Sequence, residues 1–261
     1  MKTAAGIAES MRRDWDGRAR KDAFHYIAAW REGWDAEAFF ASGEDDYRRF
    51  VEPALARQRC EPRAMTVLEL GCGAGRMTRS FACRFARVVA CDISAEMLRR
   101  AQTLLADFSN IVWIQGDGSS LSGVESNSMG FVFSYIVLQH IPAETLVLQY
   151  VREMLRVLKP GGWFLFQLNS GRTPTMNLTG RVLWGLVDGF WALGLPRVSR
   201  AIAAAAGLDP EIAGKSWRGA AVPVRAMLGA VNAAGGAVQE MLGEDTPMTW
   251  CLGVKSAGIG R

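Results

Sequence analysis

The chain has 261 residues, 49% hydrophobic and 21% charged, which suits a globular protein with one large α/β domain or a domain with a small lid. Its 30 basic and 26 acidic residues are spread evenly, 12 and 12 over 1–64, 9 and 8 over 65–170, and 9 and 6 over 171–261. No segment concentrates the basic charge expected of a nucleic-acid binder, so a nucleic-acid partner is disfavoured.

The first six residues, Met1-Lys2-Thr3-Ala4-Ala5-Gly6, lack a long apolar leader core, and the chain soon becomes highly charged. Residues 9–60 hold no strand-like run and predict two helices, near 9–29 and 36–59, with Ser42-Gly43 marking an irregularity in the second. Short β-branched and apolar runs then alternate with helical periodicity. Strands are predicted at 66–70, 88–91, 111–115, 131–136 and 163–168, and helices at 76–85, 95–107 and 144–158. This alternation predicts a parallel sheet covered by helices on both faces. Lys159-Pro160-Gly161-Gly162 reads as the turn that ends a helix and starts the fifth strand. From Asn169 to about Gly219 the alternation stops for longer than an ordinary connection, which predicts a helical insertion. A helix at 224–234 and strands at 237–242 and 248–254 close the pattern. The expected organisation is a helical cover over 1–64 and an α/β domain over 65–261, with a helical lid at about 171–219.

Five cysteines (Cys60, Cys72, Cys83, Cys91, Cys251) show no C-x-x-C spacing, and His25 and His140 are the only histidines. No metal site is expected. The longest apolar stretch, 182–196, contains Asp188 and is too short to span a bilayer. The expected compartment is the cytoplasm, with reduced thiols and no stable membrane insertion.

The chemistry concentrates at successive strand ends. Val67-Leu68-Glu69-Leu70-Gly71-Cys72-Gly73-Ala74-Gly75 is a strand running into a glycine loop, where Gly71, Gly73 and Gly75 permit a tight turn and close approach of a ligand to the backbone. A G-x-G-x-G alone is weak, because glycine turns often serve packing. Two acids strengthen it. Asp92 ends the second strand, placed to accept hydrogen bonds from ribose hydroxyls, with Ile93 beside it for an adenine face. Asp117 ends the third in Gln115-Gly116-Asp117-Gly118-Ser119, where it could accept from an adenine amine. Singly, each aspartate reads equally as a turn residue or a helix cap.

Segments 67–75, 89–94, 114–119, 133–142 and 155–162 together resemble the class I S-adenosylmethionine-dependent methyltransferases, in particular the small-molecule branch often called type 11. The resemblance covers about residues 65–170. It implies a Rossmann-like, mostly parallel seven-stranded sheet in the order 3-2-1-4-5-7-6, with the last strand antiparallel. It also implies S-adenosylmethionine as cofactor and methyl transfer to a small molecule as activity. Gly71, Gly73 and Gly75 would hold the methionine part, with Arg76 near its carboxylate. Asp92 would take the ribose, and Ile93, Asp117 and Gly118 would surround the adenine. Glu69, Met97, Ser119 and Tyr135 complete the expected cofactor contacts.

A nicotinamide-dependent oxidoreductase is the rival enzyme, but its G-x-G-x-x-G fingerprint needs glycine where Arg76 stands. Its Tyr-x-x-x-Lys pair is missing as well. A subunit that binds the cofactor without catalysis is the alternative from another class. Gln139-His140-Ile141-Pro142 follows the fourth strand, so His140 is a candidate base near the methyl group, or else a residue that fixes this loop by hydrogen bonding. The chain contains no Pro-Pro and hence no [Asp/Asn]-Pro-Pro-aromatic motif. Aromatic residues crowd the two helical segments. Tyr26, Trp30, Gln139, His140, Trp184 and Trp191 are the candidate acceptor contacts, suited to a small, apolar or planar acceptor methylated at oxygen or nitrogen. The same aromatics read equally as core, and 182–195 as a membrane-surface or dimer contact. A monomer or homodimer is expected.

Overall fold

A computed structural model of the chain describes residues 3–171, 178–193, 195–207, 217 and 219–257. The sheet forms from β1 (Thr66–Leu70), β2 (Arg87–Asp92), β3 (Ile111–Gln115), β4 (Met129–Ser134), β5 (Leu158–Leu168), β6 (Gly236–Leu242) and β7 (Thr249–Lys255). Its order is β3-β2-β1-β4-β5-β7-β6. β1 to β5 pair in parallel, and β7 runs antiparallel between β5 and β6. Chain direction across the sheet reverses between β1 and β4, so the loops after these strands diverge and leave a crevice at their carboxyl ends.

Strand alternation divides the core into two layers. Leu68, Leu70, Val132, Phe164, Phe166 and Leu168 point to one face, under α6 (Glu144–Val157) and α9 (Val224–Ala233). Val67, Phe131, Phe133, Trp163 and Leu165 point to the other, against α3 (Glu52–Gln58) and α4 (Thr78–Ala82), with the Phe131 and Trp163 rings stacked at 3.8 Å. Near-continuous apolar runs such as Phe131-Val132-Phe133 are what a strand buried on both faces requires.

A third cluster joins the sheet to α1 (Ala4–Ile27), α2 (Ala36–Asp46) and α5 (Ala95–Leu104). Thr3 and Asp35 cap α1 and α2 by accepting the N–H groups of Gly6 and Ala38. α1 bends at Asp22, whose backbone leaves the helical region (φ −164°, ψ 94°) while its side chain recaps the following turn by accepting the N–H of His25. After β5, α7 (Leu178–Ala192) and α8 (Pro196–Ala205) form a hairpin held by Val187 and Ala203, with Trp184 against them. Among the described residues no helix is long and apolar enough to cross a membrane.

Several elements differ from the sequence expectation. The irregularity in the second helical segment is a π-turn at Tyr47–Val51, not Ser42-Gly43. Gly43 is regular helix at a close approach, where a Cβ would lie 2.1 Å from the Arg76 carbonyl oxygen. Lys159-Pro160-Gly161-Gly162 does not separate a helix from a strand. α6 passes directly into β5 at Leu158, and these residues form an irregularity within the strand, between the pairs Met129↔Leu158 and Phe131↔Trp163. The fourth strand ends at Ser134, two residues early, because Ile136 turns to φ 55° and its N–H leaves the ladder.

Alanine normally stabilises a helix relative to glycine by about 0.5–1 kcal/mol. At Gly43 the sign should reverse. Gly43→Ala is expected to lower stability by about 1–3 kcal/mol in urea unfolding, because backbone meets the new methyl group.

Candidate active site

A cavity of about 1040 Å³, including its open mouth, lies at the carboxyl ends of β1, β2 and β4. Its floor is the β1 loop. Gly71 and Cys72 donate their N–H groups to the Cys91 carbonyl of β2 at 2.7 and 3.1 Å, which folds the loop back over the sheet. Gly73, at φ 56°, turns its N–H onto Oδ2 of Asp92 at 2.8 Å. Oδ1 of Asp92 accepts from the N–H of Ser94 at 2.8 Å. Burial pushes the Asp92 carboxyl up to about 6 against the pull of those two bonds, with Asp16 adding repulsion. Glu69 is also buried and accepts from the Thr78 hydroxyl at 2.6 Å. Burial lifts its carboxyl to about 8, although Thr78 and Arg76 pull it down.

Arg76 lines the cavity but is tied to the helical cover. It donates to the Ser42 carbonyl at 3.1 Å, pairs with Asp46 at 2.7 Å, and lies over the Trp30 and Tyr135 rings at 5.3 and 5.9 Å. α1 forms the roof through Met11, Trp15, Tyr26 and Ile27. It is moored by Asp16, which accepts from the Ser94 hydroxyl at 2.6 Å and from the N–H of Glu96 at 3.2 Å, at the start of α5. Ala8 of the same helix closes on Gly118, where an added Cβ would lie 2.7 Å from the alanine methyl.

The acceptor candidates sit at the far end. His140 is buried, with Nδ1 bonded to the Trp217 carbonyl and Nε2 3.4 Å from Nε2 of Gln139. Burial lowers its value to about 4; the Trp217 carbonyl opposes this and Arg18 adds to it. The Trp15, His140 and Trp217 rings contact one another at 5.1–6.2 Å, and Tyr26 meets Trp217 edge-on. Tyr135, raised to about 12 by burial, stacks on Trp250.

The cavity thus brings together Tyr26, Glu69, Gly71, Gly73, Arg76, Asp92, Ile93, Met97, Tyr135 and His140. Other candidates lie elsewhere. Gly75 supports the loop from behind, against Leu105. Asp117 is exposed, and its carboxylate accepts from the N–H groups of Ser119 and Ser120, both at 2.7 Å. These bonds, with those from the two hydroxyls, hold it below the usual range although partial burial works to raise it. Gly118 and Ser119 share this turn. Trp30 is 57% exposed beyond Arg76, Trp184 packs inside the α7–α8 hairpin, and Gln139 stands behind His140. The Trp191 side chain lies outside the described residues. Sequence reasoning counted Trp15 among the aromatics of the helical cover without making it a site candidate, and missed Met11, Ile136, Tyr150 and Gln167. Gln167 carried a signal, being a lone polar side chain in the apolar run Phe164-Leu165-Phe166-Gln167-Leu168.

Residues 68–166 match a family model described as a methyltransferase domain. Trans-aconitate 2-methyltransferase of Azoarcus sp. (strain BH72) is 34% identical over 137 residues, 52% of this chain and 50% of that protein. A ubiquinone biosynthesis O-methyltransferase of Albidiferax ferrireducens is 31% identical over 109 residues, 41% of this chain and 42% of that one. The chain spans half or less of the length of these relatives. Magnesium protoporphyrin IX methyltransferase from Synechocystis PCC 6803 with bound SAH shares the fold, with a TM-score of 0.60 over 96% of this chain and 100% of that one at 16% identity. Through residues 68–166 the chain is thus similar to methyltransferase domains, and over most of its length it shares the fold of a solved methyltransferase.

The two raised carboxyls predict a stability profile. Glu69 moves from 4.5 to about 8 on folding and Asp92 from 3.8 to about 6, so the native state holds protons that the unfolded state has released. Their contribution is full at low pH and is lost as pH rises from about 4 to 8. Thermal unfolding should show wild type losing stability across that window. Glu69→Gln should flatten the decline and be more stable at pH 8 by on the order of a few kcal/mol; parallel profiles would refute the assignment.

Proposed function

We propose that the chain binds S-adenosylmethionine in this cavity and transfers its methyl group to a small, apolar or aromatic acceptor at oxygen or nitrogen. The observation that carries the reading is the pair of carboxyls, buried Glu69 and half-buried Asp92, set in a largely apolar cavity at the crevice of the sheet. Each is uncomfortable as an anion there and gains from a ligand that brings positive charge. A sulfonium with an α-ammonium group meets that demand. A pyrophosphate, as in a nicotinamide dinucleotide, opposes it.

When bound, the cofactor supplies a methyl group activated by a sulfonium for in-line displacement. The chain's own residues have three tasks. Gly71 and Gly73 hold the loop open for backbone approach, and Asp92 fixes the loop and offers its remaining lone pairs to hydroxyls. Ile93 and Met97 furnish apolar walls, while Met11, Trp15 and Tyr26 cover the cavity and exclude water. The relatives are named for trans-aconitate and for ubiquinone biosynthesis, which supports a small-molecule acceptor. The even charge distribution supports a protein that works without nucleic acid, and the same reading places it in the cytoplasm as a monomer or homodimer.

Calorimetry with S-adenosylhomocysteine tests the reading. Folded protein should bind it, and Asp92→Ala, checked for a native melting transition, should bind at least about tenfold more weakly. A nicotinamide dinucleotide should give no heat. Absence of S-adenosylhomocysteine binding by folded wild type would overturn the proposal.

A further inference from the structure

A hydrogen-bond relay runs behind the acceptor end of the cavity, and its polarity is set by backbone groups. Ile136, held at φ 55° where a β-branched residue is strained, donates its N–H to Oε1 of Gln167 at 3.1 Å. An N–H can only donate, so this oxygen accepts and the orientation of the buried Gln167 amide is fixed. Its Nε2 then donates to the Pro247 carbonyl and to Oε1 of Gln139, both at 2.8 Å. Gln139 is left to present Nε2, a donor, to Nε2 of His140 at 3.4 Å. On the other side of the ring, the Trp217 carbonyl can only accept. Both neighbours therefore demand one tautomer, with the proton on Nδ1 and the Nε2 lone pair already engaged.

Beyond Trp217, a strap of residues 219–222 crosses the loop after β4. Gly219 lies so close that a Cβ would stand 1.8 Å from the Gln139 carbonyl oxygen, and Ala220 donates its N–H to the Ile141 carbonyl at 2.8 Å. Val222 continues by donating to the Asn169 carbonyl at 2.8 Å. The Trp217 ring meets Trp15 and Tyr26 of the roof. We propose that His140 is a positioning residue, which as the neutral Nδ1–H tautomer pins this strap over the cavity and does not take a proton from the acceptor. Calling that end the acceptor end rests on the methyltransferase reading. The tautomer and the strap do not.

Among the described residues, the charged group acting on His140 is Arg18 of α1, buried over the Trp15 and Trp217 rings at 4.8 and 5.4 Å, and it opposes protonation. The other groups against the ring, Gln139, Trp15 and Trp217, carry no charge.

With only two histidines in the chain, nitrogen-15 NMR of histidine-labelled protein resolves both, and His25→Gln assigns them. His140 should show the Nδ1–H tautomer, unchanged from about pH 5 to about pH 8. An Nε2–H tautomer, or a titration midpoint between about 6 and 7, would overturn the proposal. Hydrogen exchange over residues 217–223 supplies the second readout. His140→Ala should speed exchange about tenfold, the equivalent of one lost hydrogen bond, and His140→Asn, whose amide can still donate to Trp217, should stay near wild type. Unchanged exchange in the alanine variant, or equal loosening in both, contradicts the pinning role. If the alanine variant does not fold, the wild-type tautomer decides. S-adenosylhomocysteine calorimetry on the same wild-type sample separates the two ideas, because neither NMR nor exchange needs a ligand.

Discussion

The bond from the Gly73 N–H to the Asp92 carboxylate joins the loop after β1 to the end of β2, and most of the site depends on it. A carboxylate taken out of water is costly unless donors surround it, and here Gly73 and Ser94 supply them. Ser94 in turn caps α5 by accepting the N–H of Met97 at 3.1 Å and gives its hydroxyl proton to Asp16 of α1. One half-buried acid thus orders the glycine loop, the start of a helix and the roof. The parallel sheet makes this possible, since only parallel neighbours bring the ends of β1 and β2 to the same edge.

The helical cover is joined to the α/β domain by partly buried polar contacts. Arg76 leaves the glycine loop and plants its guanidinium among Ser42, Asp46 and the Trp30 and Tyr135 rings, so α2 and the loop share a buried cation. Gly43 lets the same helix settle directly on the Arg76 backbone. At the opposite end, Gln167 and the strained Ile136 set the orientation of Gln139 and His140, which fastens Trp217 ahead of the strap. The cavity lies between these two attachments. Its electrostatics favour a cationic ligand on the Glu69 and Asp92 side, and its rings favour an apolar or planar partner on the Trp15 and Tyr26 side.

The central strands β1, β2, β4 and β5 were legible because they are buried on both faces and therefore read as apolar runs, and the loop because Gly71 and Gly73 stand directly after one. Asp92 was legible from its place at the end of the second strand. Features set by distant contacts were not. Nothing near Arg76 in sequence announces Ser42 and Asp46, whereas the turn-residue reading of Asp117 was local and is the one its bonds to Ser119 and Ser120 follow. Pro160-Gly161 resembles a turn, yet pairing with β4 on both sides of it, at Leu158 and Trp163, carries β5 through it. Trp15 and Met11 are four residues apart on a helix, the spacing of a core face, and the mooring of α1 through Asp16 to the start of α5 is a distant contact that nothing beside them announces.

The most direct test of the account places the cofactor in the molecule. Among the described residues, Met11, Met77 and Met97 line the cavity, whereas Met154 and Met227 are buried on the inner faces of α6 and α9. In protein labelled at the methionine methyl groups with carbon-13, S-adenosylhomocysteine should shift the Met11, Met77 and Met97 signals and leave Met154 and Met227 in place. A spectrum that does not change at saturating ligand, or changes only at Met154 and Met227, would contradict a cofactor site at the ends of β1, β2 and β4.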